Sequence, residues 1–199
     1  MIFGKRRTAS ERVTPAVMAG LMLLTTTTWA DENRLDMLMQ ALSRHTDRHA
    51  VFTESHAFAL ARTPLLSSGT LAFHAPDHLE KITRQPVAES LILDGPLLSL
   101  TREGHRPRTL ALEDYPQVAG FIEGLRGILQ GNRSTLEQHY QLHLEGYPGP
   151  WILTMTPTDP ALQPIFKNLI IHGDDDDIHE IHIVQQDGDR SDMIIHATP

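Results

Sequence analysis

Apolar side chains alternate with polar ones along much of the chain beyond residue 50, which predicts a mainly β protein. Residues 140–145 and 151–156 show this most regularly, with an apolar side chain at every second position. A period of two is typical of strands that bury one face and expose the other. Further short strands are predicted at residues 52–61, 70–74, 91–93, 97–100, 110–112, 165–172, 178–185 and 193–196.

Two segments show helical spacing instead. The second of them covers residues 118–129, with Asp114 and Pro116 as start signals and Gly131 as a stop signal. The first is a short stretch near residue 40 whose apolar side chains recur on one helical face: Leu35, Leu38, Met39 and Leu42. The chain is therefore expected to contain a short helix before the first strand and a longer helix between two groups of strands.

The longer helix contains a stripe of glycines at Gly120, Gly124 and Gly127. Each glycine costs a helix about 1 kcal/mol relative to alanine. Such a helix either packs very closely against a neighbour or is weakly held and mobile. Close packing is the interpretation that the pattern favours slightly.

The order of these elements predicts an α+β fold, mainly β, in which a curved antiparallel sheet has helices on one side. Asp94-Gly95 is a typical hairpin turn, and Gly173–Asp177 and Asp187–Asp189 separate the last strands as turns. No internal repeat or change of composition divides the chain, so one domain is expected after the N-terminal segment.

The N-terminal segment has the layout of a secretory signal peptide. Basic residues lie within the first twelve positions, residues 13–24 are apolar and uncharged, and Thr28-Trp29-Ala30 offers a cleavage site. An N-terminal buried helix is the alternative. We expect residues 1–30 to be removed near Ala30, leaving residues 31–199 as a soluble domain in the periplasm.

Composition excludes several classes of protein. The chain has no cysteine, which rules out disulfide scaffolds, thiolate chemistry, iron–sulfur clusters and an N-terminal lipid anchor. Its formal net charge of −8 argues against a nucleic-acid partner, because phosphate binding requires an excess of basic residues. No cofactor is indicated.

Candidate chemistry is sparse although the chain has 12 histidines. His139 and His143 are expected on one strand face, and His179 and His182 lie near the acidic run Asp174–Asp177, which is either a calcium-binding loop or a solvated turn. No His-Glu-x-x-His motif, nucleophile elbow or phosphate-binding glycine loop is present. Surface histidines are therefore favoured over a metal site, and no catalytic residue or metal ligand is predicted.

One segment is much more specific than these features. Between Gly69 and Gly95, the residues Gly69, Pro76, Pro86 and Asp94-Gly95 follow the spacing G-x6-P-x9-P-x7-D-G. This segment resembles the periplasmic outer-membrane lipoprotein carrier family, LolA. Phe52-Thr53-Glu54 is similar to the family's first-strand signature Phe-x-Gln, with glutamate in place of glutamine.

The resemblance implies an incomplete β-barrel whose concave apolar face is covered by helices that act as a lid. It also implies a monomeric, non-enzymatic carrier. The cargo would be an acylated lipoprotein or another lipid, accepted from an inner-membrane transporter or exporter and passed to an outer-membrane receptor. In the family an arginine just before the first proline holds the lid closed, whereas this chain has Ala75 there. Lid control is therefore expected to differ.

A lipid-binding site follows from combining the strand pattern with the resemblance. The inner face of the lid is predicted to consist of Phe121, Ile122, Leu125 and Leu129. The walls of the cavity are predicted to be Phe52, Phe58, Leu71, Phe73, Leu91, Leu93, Leu142, Leu144, Trp151 and Leu153. Periodicity does not distinguish cavity walls from ordinary core.

Two other functional classes stay open at this point. One is a periplasmic metal-dependent enzyme that uses some of the histidines. The other is a scaffold that binds a partner protein through a sheet edge.

Overall fold

A single antiparallel sheet of eleven strands organises the protein. We describe it from a computed structural model, which covers residues 26–197. The α-helices are α1 (Thr26–Leu42), α2 (Pro116–Gln130) and α3 (Arg133–His139), and a 3-10 turn spans Leu112–Asp114. The strands are β1 (Asp47–Ala57), β2 (Leu65–His74), β3 (His78–Gln85), β4 (Glu89–Asp94), β5 (Leu97–Arg102), β6 (Arg108–Ala111), β7 (Tyr140–Gly146), β8 (Pro150–Pro157), β9 (Phe166–Asp174), β10 (Asp177–Gln185) and β11 (Arg190–Ala197).

The strands form two meanders that meet in the middle of the sheet. The order is β6-β5-β4-β3-β2-β1-β11-β10-β9-β8-β7, so the chain runs outward from β1 to β6 and returns from β7 to β11. The helices α2 and α3 connect the two edges. Within the described residues, β6 and β7 are not paired with each other, so the sheet is not closed into a barrel. This confirms the predicted fold class.

One face of the sheet carries the hydrophobic core, and we call it the inner face; the opposite face is the outer face. The core cluster lies at the β7–β9 side of the sheet, where α1 and α3 cover the strands. Its members are Leu35, Leu38, Met39, Leu42, Ile128, Leu136, Tyr140, Leu144, Trp151, Leu153, Met155, Leu162, Leu169 and Ile171. The predicted N-terminal helix is thus confirmed, and its four apolar residues all lie in the core.

The glycines of α2 are buried, and side chains from other elements pack on them. A β-carbon added at Gly124 would lie 2.7 Å from the ring of Tyr140, and one at Gly120 would lie 3.2 Å from Leu162. The helix ends at Gly131, whose φ of +62° is the left-handed conformation that glycine adopts most easily. These contacts confirm the close-packing interpretation of the stripe.

The structure differs from the sequence prediction at several elements. α3 was not predicted, and His139 is its last residue, so His139 and His143 do not share a strand face. Leu112 lies in the 3-10 turn rather than in a strand. Most of the predicted signal peptide, residues 1–30, lies outside the described residues, and residues 26–30 belong to α1.

Of the helices in the part of the chain that is described, none combines the length and the apolar character needed to cross a bilayer.

Candidate functional site

Strands β2 to β5 carry an apolar surface on the inner face that is separate from the core cluster. Strand pairing joins Phe73 to Leu79, Leu79 to Leu93, and Leu93 in turn to Leu98. A second row joins Leu71 to Lys81, Lys81 to Leu91, and Leu91 to Leu100, so one lysine stands among its leucines. Residues that pair directly point to the same side of a sheet. We call this surface the β2–β5 apolar face, and it consists of Leu71, Phe73, Leu79, Leu91, Leu93, Leu98 and Leu100.

Burial divides this surface into two parts. Phe73 and Leu93 are each only 2% exposed. The other five leucines are half-buried, and none of the seven residues belongs to the core cluster. The β2–β5 apolar face therefore leaves apolar area that the protein's own core does not fill.

The predicted wall residues divide between this surface and the core. Leu71, Phe73, Leu91 and Leu93 lie on the β2–β5 apolar face, and Phe52 lies beside it on β1. At the other side of the sheet, the wall residues either belong to the core cluster or pack against it: Leu142, Leu144, Trp151 and Leu153.

Phe58 is the one predicted wall residue that does not lie on the inner face of a strand. It follows the end of β1, is 42% exposed, and its ring centroid lies 4.4 Å from that of His56.

The predicted lid residues also fall into two groups. Phe121 packs against the core cluster and stacks on Phe166, with ring centroids 5.0 Å apart. Ile122, Leu125 and Leu129 are half-buried and stand outside both the cluster and the residues packed against it. One side of α2 therefore packs against the core cluster, and a second apolar side does not.

A buried arginine on α2 connects this helix to the turns of the β2–β5 meander. Arg126 is 7% exposed and donates hydrogen bonds to the main-chain carbonyls of Asp77, at 2.8 Å, and of Gly95. Its other terminal nitrogen bonds Glu123 Oε1 at 2.9 Å. Asp77 lies in the turn between β2 and β3, and Gly95 lies in the turn between β4 and β5. Arg126 therefore joins two hairpins to the helix.

A second side chain of α2 reaches the same end of the meander. The amide of Gln130 donates to the main-chain carbonyl of Pro76, the first proline of the motif. Ala75, which occupies the position of the family's arginine, immediately precedes it. In this protein the helix itself supplies the polar side chains that bridge to the turn. The local sequence gives no sign that Arg126 is buried, because an arginine three residues after a glutamate is typical of a solvent-exposed ion pair.

A buried polar network lies beside Phe52 on the inner face. Glu54, the glutamate of the Phe-x-Glu signature, accepts hydrogen bonds from Lys81 at 2.6 Å, Ser67 at 3.2 Å and Ser191. Burial alone would raise the pKa of Glu54, but the hydrogen bonds from Lys81, Ser191 and Ser67 and the charge of Lys81 together lower it below its ordinary value. This network connects strands β11, β1, β2 and β3. Lys81 pairs with both Leu71 and Leu91, so its side chain lies within the second row of the β2–β5 apolar face.

The free edge of β7 borders a hollow of about 360 Å³. It is lined by Glu32 and Leu35 of α1, by Arg133 and Glu137 of α3, and by residues 140–144. β7 is the last strand of the sheet within residues 26–197, so half of its main-chain hydrogen-bonding groups have no strand partner among those residues.

Comparison with known proteins identifies one family. Residues 29–198 match the family model described as outer membrane lipoprotein carrier protein LolA-like. No curated protein matches the chain significantly.

Solved structures of similar fold have low sequence identity to this chain. A LolA superfamily protein from Nitrosomonas europaea is 10% identical, with a TM-score of 0.47, and the match covers 83% of this chain and 91% of that one. A putative outer membrane lipoprotein-sorting protein domain from Vibrio parahaemolyticus is 11% identical, with a TM-score of 0.45 and coverage of 84% and 93%. A structure of the MucA/MucB complex from Pseudomonas aeruginosa matches at 14% identity, with a TM-score of 0.38 and coverage of 85% and 58%.

Proposed function

Because the chain belongs to the LolA-like family of outer membrane lipoprotein carrier proteins, we propose that it carries acylated cargo, with the acyl chains bound between α2 and the β2–β5 apolar face. The observation that supports this most directly is the half-buried leucine surface on the inner face, which lies outside the core cluster. The family's cargo is a lipoprotein, and another lipid is the alternative for this chain. The proposal is of a binding protein and includes no catalytic step.

The energetics of an acyl chain explain why such a surface is useful. The transfer of an acyl chain of some fifteen methylenes from water to an apolar site is favourable by about 12 kcal/mol of free energy, at roughly 0.8 kcal/mol for each methylene. A carrier must cover that length and then release it. The β2–β5 apolar face supplies aliphatic contacts, and α2 supplies the cover.

Release requires a cover that opens at modest cost. Among the described residues, two side chains of α2 donate hydrogen bonds to the turns of the β2–β5 meander: Arg126 to the carbonyls of Asp77 and Gly95, and Gln130 to the carbonyl of Pro76. We propose that Arg126 holds the cover closed in place of the arginine that the family has at the position of Ala75. Ile122, Leu125 and Leu129 would then contact the acyl chain from the helix side.

The transport route is part of the proposal. Residues 1–30 would direct export and be removed near Ala30, so the carrier would act in the periplasm. It would accept cargo from an inner-membrane transporter or exporter and deliver it to an outer-membrane receptor.

Adjacent residues on β4 allow a matched test of the binding surface. Leu91 and Ile92 are both half-buried, but they point to the inner and outer faces respectively. Leu91→Ser is expected to weaken binding of a fluorescent fatty acid about 10-fold, because a leucine contact contributes about 1–2 kcal/mol. Ile92→Ser is expected to leave binding unchanged. Equal affinities for the two variants would contradict the proposed site.

A second candidate function is binding of a protein partner at the edge of the sheet. The observation that favours it is the hollow beside the free edge of β7, where an added strand could pair with residues 140–144. The fatty-acid titration separates the two functions, since a scaffold without a lipid site would not bind the probe.

A further inference from the structure

Two histidines and a glutamate converge on the outer face of β9 and β10. His172 pairs directly with Glu180, and His182 lies two residues further along β10 on the same face. One potential ligand atom from each residue lies within 4.8 Å of the others. All three residues are half-buried, and the side chains of His182 and Glu180 are 27% and 41% exposed. Nε2 of His182 is 3.1 Å from Oε2 of Glu180, and the ring centroids of His172 and His182 are 5.0 Å apart.

This spacing suits a tetrahedral metal ion. With ligand distances of about 2.0–2.1 Å, two ligands of tetrahedral zinc lie about 3.3 Å apart. The His182–Glu180 separation is close to that value, and His172 needs only a small movement to complete the set. We propose that His172, Glu180 and His182 bind a divalent transition metal ion of the zinc type, with water in the fourth position.

A carboxylate outside the set orients one of the ligands. Nδ1 of His182 lies 2.7 Å from Oδ1 of Asp192 on β11. When a metal ion occupies Nε2, Nδ1 carries the ring proton and donates it to Asp192, which fixes the orientation of the ring toward the site. Metal-binding histidines have such partners almost always. Asp192 is therefore a positioning residue for the proposed site.

A local irregularity of β10 separates this site from the core. Ile178 pairs with Gly173 and packs against the core cluster, whereas Glu180 pairs with His172, so His179 is an extra residue in β10. A bulge of this kind changes the face to which the following side chains point. It allows Ile178 to reach the core while Glu180 and His182 both lie on the outer face.

Aliphatic neighbours reduce the access of water to the proposed site. Ile170 pairs with His182, Ile152 with His172, and Ile194 with Glu180, so each ligand has an isoleucine beside it on the same face. Apolar surroundings strengthen electrostatic interactions between a cation and its ligands.

A second group on the outer face, Asp47, His49 and His74, provides an internal comparison. Its potential ligand atoms also lie within 4.8 Å of one another. However, the side chains of Asp47 and His49 are 60% and 57% exposed. The group also has no equivalent of Asp192 among the hydrogen bonds of the described residues, because Asp47 itself is the partner of both rings. We therefore place the metal at His172 and use this group as a control.

Titration of the full chain with Zn²⁺ alone tests the site. The protein is prepared without a polyhistidine tag, and calorimetry is expected to give one tight site per chain. His172→Ala and His182→Ala are each expected to weaken that site by more than about 10-fold, and His49→Ala to leave it unchanged. Co²⁺ bound at the site is expected to show the absorption bands of tetrahedral coordination.

Asp192→Asn tests the positioning role. It is expected to weaken Zn²⁺ binding about 10- to 100-fold without changing the thermal midpoint of the metal-free protein. A changed midpoint with unchanged affinity would mean that Asp192 is only structural. The metal-free circular dichroism spectrum of every variant confirms folding, and His172→Gln replaces any variant that does not fold.

Two results would overturn the metal proposal. One is a wild-type chain that fails to bind Zn²⁺ at micromolar concentration. The other is a tight site that survives His172→Ala and is lost in His49→Ala. Because the proposed ligands lie on the face opposite the acyl site, either result leaves the fatty-acid titration unaffected.

Discussion

Replacing Arg126 by alanine tests the proposed cover most sharply. The wild-type side chain is 7% exposed and joins α2 to the main-chain carbonyls of Asp77 and Gly95. Arg126→Ala removes both bonds and the bond to Glu123, while the helix keeps a residue of high helical propensity. The change therefore acts on the attachment of the helix rather than on the helix itself.

The magnitude follows from the number and type of bonds lost. A hydrogen bond from a charged group contributes about 1.5–3 kcal/mol, and two such bonds bridge to the hairpins. The Nε of Arg126 is buried without a hydrogen-bond partner among the described residues. The alanine variant no longer buries this nitrogen, which recovers about 1–3 kcal/mol of the lost stabilisation. Taken at the middle of these ranges, the net loss is about 2.5 kcal/mol. If opening of the cover breaks both bonds, release of an acyl probe accelerates by about 100-fold.

Stopped-flow release of a bound fluorescent fatty acid measures this directly. Arg133→Ala is the matched control, since Arg133 on α3 pairs with Asp36 at 2.9 Å and with Glu137 at 2.7 Å but is 28% exposed. Exposed pairs contribute at most about 1 kcal/mol, so the control is expected to change release less than about 10-fold. Equal release rates for the two variants would refute the role of Arg126.

Two further predictions concern the packing of α2 and the buried network. Gly124→Ala is expected to destabilise the fold in urea by about 1–3 kcal/mol, because its β-carbon would lie 2.7 Å from Tyr140. Gly120→Ala is expected to cost less, because its β-carbon would lie 3.2 Å from Leu162 and the overlap is smaller. Equal effects would contradict the close-packing account. The pKa of Glu54 is lower in the folded state than its ordinary value. The ionised side chain therefore stabilises the fold fully at a pH above that ordinary pKa, and this stabilisation is lost as the pH falls through the lowered pKa. Glu54→Gln is therefore expected to be less stable than wild type at pH 7 by about 1–2 kcal/mol. The two unfolding midpoints are expected to converge as the pH falls below the ordinary pKa of glutamate, and a pH-independent difference would contradict this.

Strand alternation predicted which face of the sheet a residue occupies better than it predicted whether that residue fills the core. Because side chains alternate with a period of two, the parity of Leu71, Leu91 and Leu153 placed all three on one face once the strands paired. Whether each of them fills the core depends on where the helices pack, which is a long-range property. α1 and α3 cover the β7–β9 side, so Leu153 is fully buried while Leu91 is only half-buried.

The features that the sequence did not reveal depend on distant contacts. Arg126 is buried because its helix lies against turns that are 49 and 31 residues away along the chain. α3 is only seven residues long and buries only Leu136, so it has no periodic signal. His172 and His182 come together through the β9–β10 hairpin, and their separation of ten residues does not match the spacing of a helical His-Glu-x-x-His motif. Pairing histidines across a predicted hairpin is the signal that could have found them.

Native mass spectrometry of the full chain, purified from its host without detergent, tests the central claim that this protein carries acyl chains. Wild-type protein is predicted to contain a fraction with a noncovalently bound lipid, and that fraction is predicted to be smaller in Leu91→Ser and unchanged in Ile92→Ser. Protein that never carries lipid, and that does not take up an added fatty acid, would contradict it.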